Sequence, residues 1–598
     1  MNDFAFAQQT GARKDSTKFY KNIETYSQRS KFTKFIYSLI FKPIASNSKK
    51  KEVKKKVSKK QIQKPYSAFE GKTIRHINII ILDPFGYSLA DTIVKSQNFL
   101  SKTGNKLHVK TQLTTIRNLL LIRQNQIFDS LLVKESERLI RSQVYIQDVS
   151  FFVITTTKNS DSVDIFIREL DKWSITFGAS FSGSLVSIKL NDKNFLGFGH
   201  EFKNAYSWYH TTGGQAYNTN YFIPNIHNTY INSTLHYDKN EFGNFIRSFA
   251  IDRPFFSPFA KWAGGVNFTQ QFRNDSIRNS NSFFIPQRLK FNSQDYWVGN
   301  AMQIFKGNTE NIRTTNFVST VRFLRIRYLE KPIAMFDTLH AYSDENFYLA
   351  GIGISTRKYV QDKFIFNYGV TEDVPVGNVY GLTVGYQVKN NIGRLYAGIR
   401  FSFGNYNEWG YLSYNIEYGT FFHASHAEQG TFTAGINYFT GLFEIGKWKF
   451  RQYVKPMLTV GINRFPYENI TINDENFVRS FSSSSLTGTK KIVLTLQTQS
   501  YSPWNVLGFR FGPYLIYSLG ILGNDASGFK NSKIYSLIGL GVLIKNEYLI
   551  FNTFQFSISF FPIIPGIGTN ILKTNSFKTN DFGFRDFEIG KPSVIVFQ

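Results

Sequence analysis

The chain has 598 residues, a formal net charge of +28, no cysteine and nine histidines. The lack of cysteine excludes disulfides, thiolate nucleophiles and cysteine-ligated metals. Aromatic residues make up 17 % of the chain, yet no apolar run reaches the roughly 20 residues that a transmembrane helix needs. A chain that is rich in aromatics and glycine but polar on average is typical of a transmembrane β-barrel.

Residues 1–70 form a basic tail. Residues 1–65 hold 17 Lys and Arg against 4 Asp and Glu, and Lys49–Lys60 contributes eight lysines. Such a run indicates a solvated, disordered linker, with a contact to anionic lipid headgroups or the cell wall as the alternative. No aromatic residue is interleaved with these lysines for base stacking, so we expect no nucleic-acid partner. Phe4–Gln8 look like the last residues of a signal peptide, which leaves open whether the true start codon lies upstream.

The sequence predicts that residues 71–171 form a compact α+β domain. An Ile-rich strand over Thr73–Leu82 opens it, and an irregular insert follows. Helices are predicted around Thr114–Ile122 and Asp129–Ser142, the second with one apolar face and with its polar positions, 135–141, largely solvated. A hairpin closes the domain, formed by Tyr145–Thr156 and Ser162–Glu169.

From Trp173 onward the apolar period changes from helical spacing to two residues. Outward positions are illustrated by Tyr380, Leu382, Val384, Tyr386, Leu395, Ile399 and Phe401. Small or charged residues such as Gly381, Gly385 and Arg400 occupy the alternate positions, which suits a wet lumen. We therefore predict a transmembrane barrel over 172–598, and about 10 residues per strand plus loops gives roughly 16 antiparallel strands.

The order β-α-α-β-β in residues 71–171 resembles a POTRA domain, and Ile127–Val149 matches that family's second helix and following strand. The family's usual glycine before this helix is replaced by Asn125 or Gln126, and Asn tolerates the left-handed conformation. One POTRA domain ahead of a large barrel resembles the superfamily that includes BamA, TamA and the two-partner-secretion transporters. The resemblance covers residues 72–598.

In that superfamily a loop folds back into the lumen and carries a Val-Arg-Gly-Phe/Tyr motif. The counterpart here is Val478-Arg479-Ser480-Phe481, followed by Gly488. The family's arginine pairs with an acidic residue in a Phe-x-Asp-x-Gly strand, whose best match is Ile516–Gly520, with Ser518 at the acidic position and Gly520 after it. Both halves of the motif are altered, so Arg479 needs another lumen partner or is an exposed loop arginine.

The early turn Asn194–Gly199 also matches the superfamily. The segment Phe587–Phe597 keeps a two-residue apolar period and is predicted to be the closing strand of the barrel. Pro592 removes one ladder donor from it, which indicates either a bulge or a weak seam between the last and first strands. The seam residues are Gly590, Pro592, Ile595 and Phe597.

The resemblance implies an outer-membrane protein translocase or insertase, with its N-terminal domain in the periplasm. Unfolded outer-membrane or secreted clients would add a strand to the POTRA edge and then pass through the lumen or the seam. The residues predicted for that edge are Tyr145, Val149, Phe151 and Val153. Outer-membrane lipids and periplasmic or lipoprotein subunits are the other expected partners. A passive pore, or a structural barrel subunit that has lost assembly activity, is the alternative.

The candidate enzyme motifs in the sequence are incomplete. Ser182 replaces the second glycine that a nucleophile elbow requires in Gly178–Ser182. His423, His426 and Glu428 lie close in sequence, but no further ligand cluster accompanies them. The sequence therefore predicts no catalytic residues, no cofactor and no metal.

Overall fold

The computed structural model describes residues 65–89, 99–157, 160–278, 284–337, 340–472, 486–506, 508–546, 548–549, 554–563, 572–574 and 584–598. The predicted basic tail lies outside this part of the chain, apart from its last residues. Within the described residues no helix is long and apolar enough to cross a membrane.

The small domain contains a three-stranded sheet with the order β1-β3-β2. Its elements are a 3-10 turn over Tyr66–Phe69, β1 (Thr73–Leu82), α1 (Phe99–Leu107), α2 (Leu113–Arg117), α3 (Ser130–Arg141), β2 (Ile146–Thr155) and β3 (Ser162–Asp171). β3 is the central strand and pairs in parallel with β1 and antiparallel with β2. The predicted hairpin and its central second strand are therefore observed, whereas α1 falls in the predicted irregular insert.

The start of α3 follows from its sequence. The Asp129 side chain accepts hydrogen bonds from the backbone N–H groups of Leu131 and Leu132, at 3.0 and 3.2 Å, and so caps the helix. Asn125, at the predicted substitution for glycine, has a φ of +63°. Its short amide side chain is compatible with this left-handed backbone, as the sequence suggested.

The described strands from Ile175 onward build one closed antiparallel barrel. Its strands are β4 (Ile175–Phe181), β5 (Leu185–Phe195), β6 (His200–Tyr209), β7 (Gly214–Ile223), β8 (Asn232–Lys239), β9 (Phe245–Arg253), β10 (Trp262–Arg278), β11 (Phe284–Gln303), β12 (Thr315–Glu330), β13 (Glu345–Lys363), β14 (Thr371–Lys389), β15 (Ile392–Asn407), β16 (Gly410–His423), β17 (His426–Thr440), β18 (Phe443–Ile445), β19 (Trp448–Ile462), β20 (Lys490–Tyr501), β21 (Asn505–Val506), β22 (Phe509–Gly523), β23 (Ile534–Asn546), β24 (Phe554–Phe560) and β25 (Leu572–Thr574). A short helix, α4 (Glu310–Arg313), lies between β11 and β12.

The prediction of roughly 16 strands was too low. Among the described residues the closed order contains twenty-two strand segments, β4–β25. β18 and β21 are short extensions of β17 and β20, because each pairs with the same neighbour as the strand before it. The prediction allowed for long loops between strands of about 10 residues, whereas β4–β9 have 7–11 residues and connections such as 390–391 hold two.

The two faces of the wall differ as the period of two predicted. Tyr380, Leu382, Val384 and Tyr386 are exposed on the outer face of β14, while Val379 and Gln387, on the alternate positions, are buried. A barrel that exposes large apolar side chains around its outside is built to face lipid rather than water. We conclude that strands β4–β25 form a membrane-spanning barrel.

The ladders of the barrel differ greatly in length. β13 and β14 share nineteen residue pairs, and β10 and β11 share seventeen. β23 and β24 share seven pairs, and β24 and β25 share three in the described chain. β25 stands next to β4 in the closed order, at the junction of the first and last strands of the barrel.

Candidate functional site: the lumen strap and the docked domain

Residues 584–598 do not form a strand but run through the barrel lumen as an extended segment, here called the lumen strap. The prediction that Phe587–Phe597 closes the barrel was wrong, and Gly590, Pro592, Ile595 and Phe597 are not seam residues. An extended segment has the same two-residue side-chain period as a strand, so the period could not separate the two. Polar side chains on the lumen wall bind this segment and hold it inside the lumen.

Arginines on the wall hold the main chain of the strap. Arg400 donates to the carbonyls of Asp586 and Glu588, at 3.3 and 3.1 Å. Arg322 donates to the carbonyl of Pro592, at 3.1 Å, while its other guanidinium nitrogens bind Asp295. Pro592 has no N–H to donate, but the wall binds its carbonyl oxygen, which proline retains.

Charged side chains of the strap are paired with the wall as well. Arg357, which is 4 % exposed, places its Nη1 2.6 Å from an oxygen of Glu588. Its Nη2 donates to the Phe255 carbonyl at 2.7 Å. Lys591 forms an ion pair with Asp295. Charge-assisted bonds of this kind are roughly twice as strong as neutral ones.

The wall has glycines where the apolar side chains of the strap lie. A Cβ added to Gly404 would stand 2.3 Å from the Phe587 ring, and one added to Gly461 would stand 2.7 Å from the Phe597 ring. Gly351, Gly353 and Gly419 face Pro592, Ile589 and Ile595 in the same way. The alternation of glycine with apolar residues therefore does more than indicate a lumen, because it provides the room for the strap.

The strap leaves part of the lumen open. It begins at Phe584, whose ring packs against Phe366, Tyr411 and Phe439, and ends where Arg464 lies 4.2 Å from the Phe597 ring. A cavity of about 530 Å³ lies between it and the wall, lined in part by Arg400, Glu417, Lys455 and Thr495.

The small domain is docked onto one end of the barrel, here called the near end. Arg138 of α3 donates to the Phe256 carbonyl at 3.0 Å, and Arg141 pairs with Asp373 of β14 at 2.9 Å. The face of α3 that was predicted to be solvated is therefore buried against the barrel. The turn Asn194–Gly199 takes part too, since a Cβ on Gly197 would stand 2.3 Å from the Lys110 carbonyl oxygen.

One contact links this docked domain to the strap. The Arg138 guanidinium lies 4.2 Å from the centre of the Tyr359 ring, and the Tyr359 hydroxyl donates to Asp586 at 2.9 Å. A movement of α3 would therefore displace the Tyr359 side chain, which holds the first part of the strap through Asp586.

A buried carboxylate cluster lies at the end of β3. Asp171 accepts from the backbone N–H and the hydroxyl of Thr111, at 3.0 and 2.5 Å, and lies 2.9 Å from His108 Nε2. Glu169 is fully buried and, within the described residues, its carboxylate has the neighbouring Asp171 carboxylate beside it and no cationic hydrogen-bond donor. Burial, reinforced by the neighbouring Asp171 carboxylate, raises the pKa of Glu169 well above its usual value.

The near end of the lumen is filled by the connection between β13 and β14, residues 364–370. The carbonyl of Ile365 accepts hydrogen bonds from the hydroxyls of Tyr453 and Tyr501, at 2.6 and 2.7 Å. Arg451, on β19, donates to the carbonyls of Phe364 and Lys363. This turn crosses from β13 to the opposite wall, so it narrows the passage between the small domain and the lumen.

The predicted lid-loop motif, Val478, Arg479, Ser480 and Phe481, lies outside the described residues. Gly488 is described, and its backbone exchanges two hydrogen bonds with Ile470, of 2.8 and 2.9 Å. A Cβ on Gly488 would stand 2.5 Å from the Gly523 carbonyl oxygen, so this position needs glycine. Ile472 is fully buried among inward residues of β22 and β23, such as Tyr514 and Leu537. The described start of this connection therefore enters the lumen.

The predicted partner strand is β22. Ser518 is buried and its hydroxyl lies 3.5 Å from that of Thr495 on β20, and Gly520 occupies the next inward position of the same strand. Ser518 thus faces the interior at the position where the resemblance implies an acidic residue. The prediction that Arg479 finds another partner in the lumen concerns a residue outside the described part of the chain.

The predicted client edge needs a correction. β2 is an edge strand of the small sheet, as expected. However, Tyr145, which precedes β2, and Val149, Phe151 and Val153 on it are buried in the core of the small domain. Their side chains are committed to packing against α3 and β1, so only the main chain of β2 is left for a bound strand.

These features define a membrane barrel whose lumen holds an extended segment of the same chain and whose near end carries a docked α+β domain. Within the described part of the chain, no group of three or more potential ligands could hold a metal ion.

Comparison with solved structures finds CdiB from Escherichia coli at 8 % identity, covering 84 % of this chain and 75 % of that one, with a TM-score of 0.40. CdiB from Acinetobacter baumannii matches at 9 % identity over 93 % and 97 %, with a TM-score of 0.36. BamA from Haemophilus ducreyi lacking POTRA domains 1–3 matches at 11 % identity over 84 % and 83 %, with a TM-score of 0.34. No family model and no curated protein matches the chain.

Proposed function

We propose that the protein is a bacterial outer-membrane translocase or insertase that accepts unfolded outer-membrane or secreted proteins, without catalysis or a cofactor. The observation that carries the proposal is a membrane barrel whose lumen already holds an extended polypeptide segment by its main-chain carbonyls. A client strand would displace β25 and pair with the exposed edge of β24. The small domain would lie in the periplasm, where periplasmic or lipoprotein subunits could reach it.

Opening of the ladder between β24 and β25 needs an incoming strand. Each backbone hydrogen bond that opens forgoes about 0.5–1.5 kcal/mol net in water, and an unpaired strand edge facing lipid is costlier still. A client strand restores the lost bonds as it arrives.

The main-chain edge of β2 supports the first step of the proposal. Strand addition at a sheet edge binds through main-chain hydrogen bonds and makes few demands on client sequence. The buried side chains of β2 keep this strand in place while its outer main-chain groups stay on the edge of the sheet. A passive pore is less favoured, since the strap and the turn 364–370 both occupy the lumen.

A disulfide across the ladder tests the proposal. Ser559 and Lys573 are directly paired, which suits a disulfide, and the chain has no native cysteine. A Ser559→Cys/Lys573→Cys variant should support a depletion strain only under reducing conditions, with outer-membrane and surface proteins lost when it is oxidised. The control is Thr269→Cys/Ser293→Cys in the seventeen-pair ladder of β10 and β11, which should work in both states.

Normal function of the oxidised Ser559→Cys/Lys573→Cys variant would show that β25 need not leave β24, and would refute this route. If depletion of the protein removes no outer-membrane or surface protein at all, a structural barrel subunit becomes the better assignment.

A further inference from the structure

The lumen strap is held in a way that suits an extended polypeptide in general. Arg400 and Arg322 donate to three of its carbonyl oxygens, and Ser355 donates to a fourth, that of Phe587. Main-chain carbonyls are present in every polypeptide, so these donors do not depend on the sequence that is bound. They do require an extended backbone, because the donors lie on three different strands of the wall, β12, β13 and β15, and the carbonyls must reach each of them.

Two further contacts add side-chain preference. The Phe587 ring is buried over Gly404, and the Glu588 carboxylate pairs with buried Arg357. Removing either partner would leave an empty pocket or an unpaired buried charge. The preferred segment is therefore an aromatic residue followed directly by a carboxylate.

The wall is built for this occupant and has room beside it. Five wall glycines stand where a Cβ would press on the strap, at closest distances to strap atoms between 2.3 and 3.4 Å. The adjoining cavity of about 530 Å³ gives space in which a second segment could begin to bind before the strap has left.

We propose that the lumen wall from β11 to β19 is a peptide-binding groove, that the strap is its resident occupant, and that an extended client segment with an aromatic–carboxylate pair competes for it. The client part of this proposal rests on the proposed function, whereas the groove and its exchange of occupants do not. The groove would hold a client segment inside the lumen before the segment reaches β24.

A disulfide between strap and wall provides the switch for the experiment. A Cβ on Gly351 would lie 3.4 Å from the Pro592 Cβ, close to the 3.5–4.5 Å that disulfides require. The Thr320 hydroxyl, 2.7 Å from the same position, has to rotate away. The full-length Gly351→Cys/Pro592→Cys variant should form this disulfide in the folded barrel. Each single-cysteine variant should form no disulfide, either within the chain or between two chains.

The probe is a fluorescent peptide with the sequence of residues 584–598, added to the purified full-length variant in micelles. The reduced variant should bind it saturably, and the oxidised variant at least roughly tenfold more weakly, because its groove stays occupied. A peptide carrying Glu588→Gln and Asp586→Asn should also bind at least roughly tenfold more weakly to the reduced variant. Glu588→Gln in the chain itself should strengthen binding of the unmodified peptide, because a weakened strap leaves the groove more often.

Equal binding of the peptide by the oxidised and reduced variants would place its site elsewhere and overturn the proposal. Absence of binding by the reduced variant, or failure of the disulfide to form in the folded barrel, would overturn it as well. Client loss in the depletion strain is measured separately, so a functioning groove without client loss would refute the proposed function alone.

Discussion

The contact between Arg357 and Glu588 leads to the most specific prediction, because the buried guanidinium of Arg357 binds both the strap and the wall. Arg357→Ala removes the 2.6 Å bond to Glu588 and the 2.7 Å bond to the Phe255 carbonyl. Breaking one partner of a buried pair costs about 3–5 kcal/mol, because the other charge is left without compensation. The Glu588 side chain is 28 % exposed, so we expect a loss near 3 kcal/mol in the free energy of unfolding.

The measurement is urea unfolding of the folded barrel in lipid vesicles, followed by tryptophan fluorescence. Arg585→Ala is the matched control, since Arg585 joins strap and wall in the opposite sense, from the strap to Glu417 of β16 at 3.0 Å, but is 55 % exposed. An exposed pair contributes about 0–1 kcal/mol, so this variant should be close to the parent. Equal losses in the two variants would refute the claim that burial makes Arg357 the anchor of the strap.

Three further outcomes are expected. Gly404→Ala should cost about 1–3 kcal/mol by crowding the strap, whereas Gly435→Ala, whose nearest neighbour would be 3.9 Å away, should cost little in the same unfolding assay. Because the pKa of Glu169 is raised in the fold, the unfolded chain binds fewer protons above about pH 4.5, and stability should fall as pH rises. Glu169→Gln should remove that slope in pH-dependent hydrogen exchange of the small domain. Deleting residues 1–62 should leave a heat-modifiable barrel on gels, whereas deleting residues 1–70 should destabilise the small domain by removing a buried phenylalanine.

The sequence predicted the architecture where a short-range pattern determines it. The period of two separated the lipid face from the lumen face, and the N-cap at Asp129 and the left-handed Asn125 were visible as residue types. Strand number was not predictable in the same way. It depends on where each short strand ends, and a two-residue connection has no strong sequence signature.

The strap was missed for a different reason. Its apolar period is that of a strand, and the partners that place it in the lumen, such as Arg357 and Arg400, are about 190–230 residues away in the chain. Gly381 and Gly385 were noticed at lumen positions, but the five glycines that face the strap were not, and glycine at a lumen position is also expected of an empty lumen. We predicted that the polar residues of α3 face solvent, because the sequence of the helix alone does not show that a barrel surface packs against it.

The contacts of the strap are concentrated on one part of the barrel wall. The strap ties together strands from β11 to β19, and the longest ladder among the described residues, β13–β14, lies within that group. The contact from Arg138 through Tyr359 to Asp586 joins the docked domain to the first part of the strap. A shift of α3 would therefore change a contact of the strap while the ladders of the wall stay paired.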